Sequence, residues 1–242
     1  MNLFFVTVQQ GKRLIAKGVA RHHAVQRALK KGTLVVVAGT TNAFVAKGIL
    51  ESLGEETRDF PFHRFFRGVT VPPKVSLGAE KFPGDVVIKK GKWVKGKTIF
   101  DVAEELEEGD LILKGANALY LPQRQAGVLI GHEKAGTMGV ILQAVVGRRV
   151  GLLIPVGLEK RVYTDILTLS RQVNSTGSKG PRLLPAPGEV FTEIDAILTL
   201  TGAKAELVAA GGAFGAEGGV WLGVEGKREQ IEAVENLLVQ VE

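Results

Sequence analysis

A short polar run, Gly39–Asn42 (Gly-Thr-Thr-Asn), directly follows the apolar residues Leu34–Val37 and has the composition of an anion-binding turn. Beyond it, apolar residues recur three or four positions apart over Phe44–Leu53, which predicts a helix that begins at the polar run. A helix N-terminus presents backbone N–H groups without intrahelical partners and the positive end of the helix dipole, and threonine hydroxyls add further donors. The run therefore predicts a phosphate site. The alternative is an ordinary strand-to-helix turn in which Thr41 or Asn42 caps the helix.

Three further polar loops also follow short apolar runs. They are Lys114–Ala118 after Leu111–Leu113, Gly131–Gly139 after Val128–Ile130, and Gly157–Lys160 after Val150–Pro155. Four repeats of strand and loop, most of them followed by a helix, predict an α/β fold with an open, mostly parallel sheet and helices on both faces. Loops at the carboxyl ends of parallel strands gather around one crevice, so we expect the four loops to form a single site.

A stretch rich in glycine, proline and serine, Asn174–Gly188, predicts a connector between two domains. We therefore expect a large α/β domain at residues 1–183 and a small α+β domain at residues 184–242. The small domain is expected to contain helices at Phe191–Leu200 and Arg228–Val239 and strands at Ala205–Ala209 and Val220–Val224. The other elements expected in the large domain are an edge strand Leu3–Val8, a helical region Gly11–Lys31, a hairpin of Asp85–Lys90 with Trp93–Val94, and a helix Ile99–Glu108.

The segment Glu55–Pro83 has no clear periodicity and contains several phenylalanines, among them Phe60, Phe62, Phe65 and Phe66. Long irregular segments inside compact domains often act as lids or binding loops. Two interpretations therefore stay open for this segment: it contributes to a binding site, or its aromatic side chains cover the core.

Composition excludes several classes of function. The chain of 242 residues has no cysteine, which excludes a disulfide framework, a thiolate nucleophile and a cysteine-based zinc site. The apolar N-terminal run is six residues long, too short for a signal core or a membrane span, so we expect a cytoplasmic protein without a membrane partner. The two methionines and the abundant glutamate and lysine are typical of a thermophilic source. We expect no metal or other cofactor.

The chain is basic, with a net charge of +6 and a pI near 9.5. Its lysines are spread along the sequence, with one concentration at Lys89–Lys97 that coincides with the expected hairpin. Lysines on exposed hairpins keep sheet edges soluble, and no helix-turn-helix, RNA-recognition or zinc-finger pattern accompanies them. Nucleic acid is therefore not expected as a partner.

With these loops placed, the sequence resembles ribose-5-phosphate isomerase type A, within the wider group that includes glucosamine-6-phosphate deaminases and CoA transferases. Five stretches in the family's order carry the resemblance over most of the chain. Gly39–Asn42 looks like the family's phosphate loop, which is usually Gly-Thr-Gly-Ser-Thr, and Asp110–Ala118 is similar to its DLxxDGADE stretch. Lys134–Thr137 falls where the family has Lys-Gly-Gly-Gly, and Leu158–Val162 resembles its Ser-Lys-x-Val segment. Leu184–Val190 is similar to the start of the family's small domain. The resemblance implies that Lys160 helps to bind phosphate and that Lys134 lies at the reacting end.

The chain departs from this family where the family carries its acidic residues. The two aspartates of the acidic loop fall on Lys114 and Asn117, a glutamate falls on Ala118, and the glutamate that acts as general base falls on Gln143. Aldose–ketose isomerisation needs a base near the reacting C–H bond, and Asn or Gln cannot take up a proton at neutral pH. Acid–base assistance is typically worth about 10²–10⁴ in rate, so the resemblance implies phosphate binding without isomerase activity.

The first hypothesis is therefore a protein that binds a phosphorylated small molecule, a sugar phosphate or a nucleotide, without isomerising it. Its expected binding residues are Gly39, Thr40, Thr41, Asn42, Lys114, Gly115, Asn117, Lys134, Gly136, Thr137, Gln143 and Lys160.

Two other classes of function stay open. One is an enzyme of different chemistry on a phosphorylated or CoA substrate, with His132 and Glu133 as its candidate acid–base residues. The other is a regulatory or scaffold oligomer of the translation-factor or sugar-sensor kind, which share this fold. A homo-oligomer is an additional expectation, because the small domain of the family continues past its last helix whereas this sequence stops at Glu242.

Overall fold

The computed structural model describes residues 1–68 and 82–242. Within them the strands are β1 (Asn2–Val6), β2 (Thr33–Val36), β3 (Val86–Lys89), β4 (Lys92–Trp93), β5 (Leu111–Leu113), β6 (Ala118–Tyr120), β7 (Gln125–Ile130), β8 (Gly151–Pro155), β9 (Arg182–Ala186), β10 (Glu189–Phe191), β11 (Lys204–Ala210) and β12 (Val220–Glu225). The helices are α1 (Val8–Arg21), α2 (His23–Lys31), α3 (Thr40–Ser52), α4 (Ile99–Val102), α5 (Gly136–Arg148), α6 (Ile166–Val173), α7 (Glu193–Thr201) and α8 (Arg228–Val239).

The central feature of the fold is a six-stranded sheet with the strand order β10-β8-β5-β2-β3-β4. The first four strands in this order are parallel, and β3 and β4 extend the sheet antiparallel at one edge. The parallel strands are short and mostly apolar, and all three side chains of Leu111–Leu113 are buried. Such continuous apolar runs are typical of strands that are covered on both faces. The expected α/β fold with a mostly parallel sheet is confirmed.

Two smaller antiparallel sheets flank this arrangement. In one of them β12 pairs with both β1 and β11, so the first strand of the chain joins the strands of the C-terminal segment. In the other, β7 pairs with both β6 and β9. The domain boundary at residue 183 stays a prediction, and β10, which lies beyond it, pairs with β8 in the central sheet.

Three expectations about local structure were wrong. Val128–Ile130 lies in β7 of an antiparallel sheet and not in the parallel sheet, because an apolar run specifies burial but not its pairing partner. The expected connector Asn174–Gly188 contains strand β9, which pairs with β7. The helix expected over Ile99–Glu108 ends at Val102 and continues as a single 3-10 turn.

Capping explains where several helices begin. The Thr98 side chain accepts from the third helical residue of α4, and the Asp101 carboxylate accepts from the Thr98 backbone N–H at 2.7 Å. This is a capping box, which satisfies two backbone donors at once. The helical region Gly11–Lys31 is interrupted at His22, whose backbone is extended and which separates α1 from α2.

The described part of the segment Glu55–Pro83 packs on the core through its aromatic side chains. Phe60 and Phe65 are buried, and the Phe62 ring lies 4.7 Å from the Phe44 ring of α3. The remainder of this segment, residues 69–81, lies outside the described residues. In the described ranges, no helix has both the length and the apolar character needed to cross a membrane.

Candidate functional site

A cavity of about 640 Å³ opens where the chain leaves the carboxyl ends of β2 and β5. Ten of the residues that the sequence singles out line it, namely Gly39, Thr40, Thr41, Lys114, Gly115, Asn117, His132, Gly136, Thr137 and Lys160. They come from all four loops that were expected to meet. Three of these loops follow strands of the parallel sheet, and the fourth follows β7. The tertiary structure therefore places residues about 120 positions apart in the chain around one cavity.

Asn42 belongs to the phosphate-loop motif but does not line the cavity. Its side chain is fully buried, and its amide nitrogen donates to the carbonyl oxygens of Val37 at 2.8 Å and of Leu113 at 3.1 Å. These two bonds connect the end of β2 to the end of β5. Asn42 thus connects the loop after β2 to the loop after β5 without lining the cavity itself.

Four other positions that the sequence singles out also lie outside the cavity lining. Glu133 and Lys134 are exposed in the loop between β7 and α5, and Gln143 is exposed on the surface of α5. Ala118 is buried in β6. The cavity lining therefore does not include Glu133, Lys134 or Gln143. The acid–base role of Glu133 and the binding roles of Lys134 and Gln143 stay predictions.

Two helix N-termini contribute backbone groups to the cavity. Helix α3 begins after Gly39 and helix α5 begins after Ala135, each is 13 residues long, and neither has a side-chain cap. The first residues of both helices, including Thr40 and Gly136, line the cavity. Uncapped N-termini leave backbone N–H donors available and carry partial positive charge. Both features favour an anion in the cavity.

Thr41 adds a further polar group to the N-terminus of α3. Its side chain is 1% exposed, and its hydroxyl has no hydrogen-bond partner within residues 1–68 and 82–242. A buried hydroxyl without a partner typically costs about 1–3 kcal/mol. An anion bound at this N-terminus would accept a hydrogen bond from this hydroxyl.

Three cationic side chains, Arg67, Lys114 and Lys160, line the same cavity. The Lys160 amine donates to the carbonyl oxygen of Ala116 at 2.9 Å, and the Lys114 amine donates to the carbonyl oxygen of Gly115 at 3.3 Å. Burial, together with the positive charges of Lys160 and Arg67, lowers the pKa of Lys114 to about 8, and the negative charge of Asp85 opposes this shift. Burial also lowers the pKa of Lys160. The negative charge of Glu159 opposes this shift at Lys160.

Asp85 positions one of these cations and the loop after β2. Its buried carboxylate accepts from the Arg67 guanidinium at 2.6 Å, from the backbone N–H of Ala38 at 2.9 Å and from that of Ile99 at 2.7 Å. The Arg67 guanidinium also lies 3.9 Å from the centre of the Phe82 ring. Burial raises the pKa of Asp85, and Arg67 and the two backbone donors oppose this effect.

Sequence reasoning missed Arg67 and Asp85. Arg67 lies in the segment Glu55–Pro83, for which a binding role was one of the two interpretations, but no spacing within that segment marks one residue. Asp85 lies at the start of the expected hairpin, and its polar character alone gave no indication of its buried position.

One wall of the cavity is apolar. It is formed by Phe100, which is 53% exposed, together with Val128, Leu129 and Ile130. Apolar walls with a few convergent polar groups are typical of small-molecule sites. The cavity can therefore accept both an anionic group and the carbon framework that carries it. Phe100 was also missed as a lining residue, because the sequence indicates it only as an apolar position of the expected helix Ile99–Glu108.

In comparisons with known proteins, no family model, no curated protein and no solved structure matches this chain. The resemblance to ribose-5-phosphate isomerase type A stays a prediction. Inferences about function therefore rest on the geometry and charge of the cavity.

Of the two candidate acid–base residues, only His132 lines the cavity. Its Nδ1 accepts from the backbone N–H of Lys134 at 3.1 Å, which leaves Nε2 as the nitrogen that would carry the proton in the neutral ring. Within the described ranges, no group of three His, Asp or Glu residues has the arrangement of a metal site.

Proposed function

We propose that this protein binds a phosphorylated small molecule, a sugar phosphate or a nucleotide, in the cavity at the carboxyl ends of β2 and β5. One observation supports this most strongly. The described lining combines three cationic side chains with two uncapped helix N-termini and contains no aspartate or glutamate.

The phosphate group is proposed to lie at the N-terminus of α3. Backbone N–H groups at Thr40 and Thr41, the Thr41 hydroxyl and the Lys160 amine would donate to its oxygens. Hydrogen bonds to a charged group contribute about 1.5–3 kcal/mol each, so two or three of them account for a dissociation constant between about 1 mM and 1 μM. The rest of the ligand would contact Lys114 and the apolar wall at Phe100.

Ribose 5-phosphate isomerisation is not part of the proposal. The carboxylates that the resemblance would require are replaced by Lys114, Asn117, Ala118 and Gln143. No other carboxylate of the described chain lines the cavity. We therefore propose that the protein binds sugar phosphates without interconverting their aldose and ketose forms.

Isothermal titration calorimetry with inorganic phosphate, ribose 5-phosphate and unphosphorylated ribose tests this proposal. We expect the two phosphates to bind and ribose not to bind. Lys160→Met is expected to weaken phosphate binding at least tenfold, whereas Lys30→Met, at an exposed position of α2, is expected to change it less than twofold. A coupled assay for ribulose 5-phosphate is expected to show no product.

The number of protons that the protein takes up on binding phosphate provides a second test. A bound phosphate dianion would favour the charged form of Lys114, whose pKa is about 8 in the free protein. Binding near pH 8 is therefore expected to take up protons, which is measured by repeating the titration in buffers of different ionisation enthalpy. If a folded sample gives no heat with either phosphate, or if Lys30→Met weakens binding as much as Lys160→Met, the proposal is wrong.

A further inference from the structure

The Lys114 amine lies in a cavity without an ion-pair partner in the described residues. It lies directly after β5, on the wall of the cavity, and its one hydrogen bond in the described residues is a long one, 3.3 Å, to the carbonyl oxygen of Gly115. No carboxylate within residues 1–68 and 82–242 forms an ion pair with it. The charged groups that share its cavity, Lys160 and Arg67, are both positive.

We propose that the Lys114 amine forms an imine with the carbonyl carbon of a phosphorylated aldehyde or ketone bound in this cavity. This inference rests on the proposed function, because the phosphate of the same molecule would occupy the N-terminus of α3 beside Lys160. It narrows the ligand to phosphorylated carbonyl compounds.

The environment of Lys114 keeps its amine reactive. Only the neutral amine has the electron pair that attacks a carbonyl carbon. Burial and the charges of Lys160 and Arg67 favour the neutral form, and together they outweigh the opposing charge of Asp85. With a pKa of about 8, roughly a tenth of the Lys114 side chains are neutral at pH 7. An ordinary lysine with a pKa near 10.5 is neutral in only about 0.03% of molecules at that pH. The reactive fraction is therefore about 300-fold larger at Lys114.

Lys160, the other lysine of the cavity, is in a different environment. Its amine donates to the carbonyl oxygen of Ala116 at 2.9 Å, a shorter hydrogen bond than the one that Lys114 makes. Burial lowers the pKa of Lys160 as well, and the negative charge of Glu159 opposes this shift. A firmly held amine suits phosphate binding, whereas a loosely held amine that is partly neutral can attack a carbonyl carbon. The two lysines thus divide binding and bond formation between them.

The proposed step balances without an oxidant or reductant. The nitrogen of neutral Lys114 attacks the carbonyl carbon and loses one proton, while the carbonyl oxygen takes up a proton, which gives a carbinolamine. The hydroxyl group then takes up a proton and leaves as water, and the nitrogen loses its second proton as its electron pair forms the carbon–nitrogen double bond. Hydrolysis by the reverse route releases the ligand. Solvent can supply and accept these protons, because the cavity is open to it.

The step is tested by trapping. Wild-type protein is mixed with pyridoxal 5′-phosphate, used here only as a phosphorylated aldehyde probe, and the imine is reduced with sodium borohydride. Peptide mapping by mass spectrometry then identifies the labelled lysine. We expect Lys114 to be labelled at least tenfold faster than the exposed Lys30. Excess inorganic phosphate is expected to suppress this labelling, and unphosphorylated pyridoxal is expected to label Lys114 at least tenfold more slowly than pyridoxal 5′-phosphate does.

Two variants complete the test. Lys114→Arg retains the positive charge but cannot form an imine, so the label at this position is expected to disappear. Lys30→Arg is the matched control and is expected to keep the Lys114 label. Because the labelled position is read from the wild-type protein, the result does not depend on the folding of either variant.

The outcomes separate this inference from the proposed function. Three results would overturn the imine and leave phosphate binding in place. The first is labelling that starts at Lys160 or Lys30, and the second is labelling of Lys114 that phosphate does not suppress. The third is a protein that binds phosphate but is not labelled. A folded protein that neither binds phosphate nor labels at Lys114 would overturn both.

Discussion

Replacing Lys114 with methionine is expected to make the ligand-free protein more stable at neutral pH. Methionine has a similar length and an unbranched stem, so it occupies nearly the same volume without bringing a charge into the cavity. The wild-type protein must hold a buried ammonium group near Lys160 and Arg67, with only the carbonyl oxygen of Gly115 as a hydrogen-bond partner in the described residues. The unfolded chain hydrates the same group fully. Folding therefore carries a cost at this position that the variant avoids.

The size of this cost follows from the pKa of Lys114. A pKa lowered from 10.5 to about 8 corresponds to roughly 3 kcal/mol at about 1.4 kcal/mol per tenfold change in proton affinity. Lys114 retains partial solvent exposure, and hydration of the ammonium reduces the cost. We therefore expect Lys114→Met to raise the free energy of unfolding by about 1–3 kcal/mol at pH 7.

The effect has a characteristic pH dependence. Below pH 8 the lysine is charged in both the folded and the unfolded state, so the folded protein carries the full cost. Between pH 8 and about 10.5 the folded protein has released the proton while the unfolded chain still binds it, so wild-type stability rises with pH relative to the variant. Above about pH 10.5 the free energies of unfolding of the wild-type protein and of Lys114→Met are expected to become similar.

Urea unfolding of both proteins, followed by circular dichroism at several pH values from 6 to 10, measures this difference. Lys30→Met serves as the control for the loss of one exposed positive charge. Saturating phosphate is expected to reduce the advantage of the variant, because a bound dianion stabilises the charged Lys114. A variant less stable than wild type at pH 7, or a difference that does not change with pH, would show that Lys114 does not carry this electrostatic cost.

Three other substitutions test the surroundings of the cavity and the helix packing. Asp85→Asn is expected to lower the free energy of unfolding by about 3 kcal/mol in urea, because it leaves the Arg67 guanidinium without its buried carboxylate partner. Thr41→Val is expected to raise stability by about 1 kcal/mol and weaken phosphate binding about five- to tenfold, because it removes a buried, unpartnered hydroxyl. Gly18→Ala is expected to destabilise by about 1–3 kcal/mol, since its Cβ would lie 2.8 Å from the backbone of α7. Gly48→Ala has open space and is expected to stabilise by about 0.5–1 kcal/mol in thermal melts.

A specific result would contradict each of these predictions. An Asp85→Asn protein as stable as wild type would mean that solvent satisfies Arg67. Unchanged phosphate affinity in Thr41→Val would remove the hydroxyl from the proposed binding set. Equal effects of alanine at the two helical glycines would mean that helix propensity, and not the close approach of α1 to α7, determines the outcome at Gly18.

Much of the central sheet is predictable because its strands are local, apolar and followed by polar turns. The runs at Leu34, Leu111 and Val150 were expected as strands and lie in the parallel sheet. The rule that loops gather at the carboxyl ends of parallel strands then predicts, from the sequence, that Lys114 and Lys160 lie at one cavity. Strand pairing beyond the sheet was less predictable, as β7 and β9 show, because an apolar run is equally compatible with a parallel or an antiparallel partner.

The amino-acid sequence by itself determined the apolar runs, the glycine- and threonine-containing turn at the start of α3, and the replacement of acidic residues by Lys114 and Asn117. These features depend only on residue type and on the spacing of residues close together in the sequence. Only the tertiary structure brought Arg67 to the cavity through Asp85 and left Lys114 beside other cations without a described carboxylate partner. Electrostatic effects depend on distance and burial, and these arise only when segments far apart in sequence pack together.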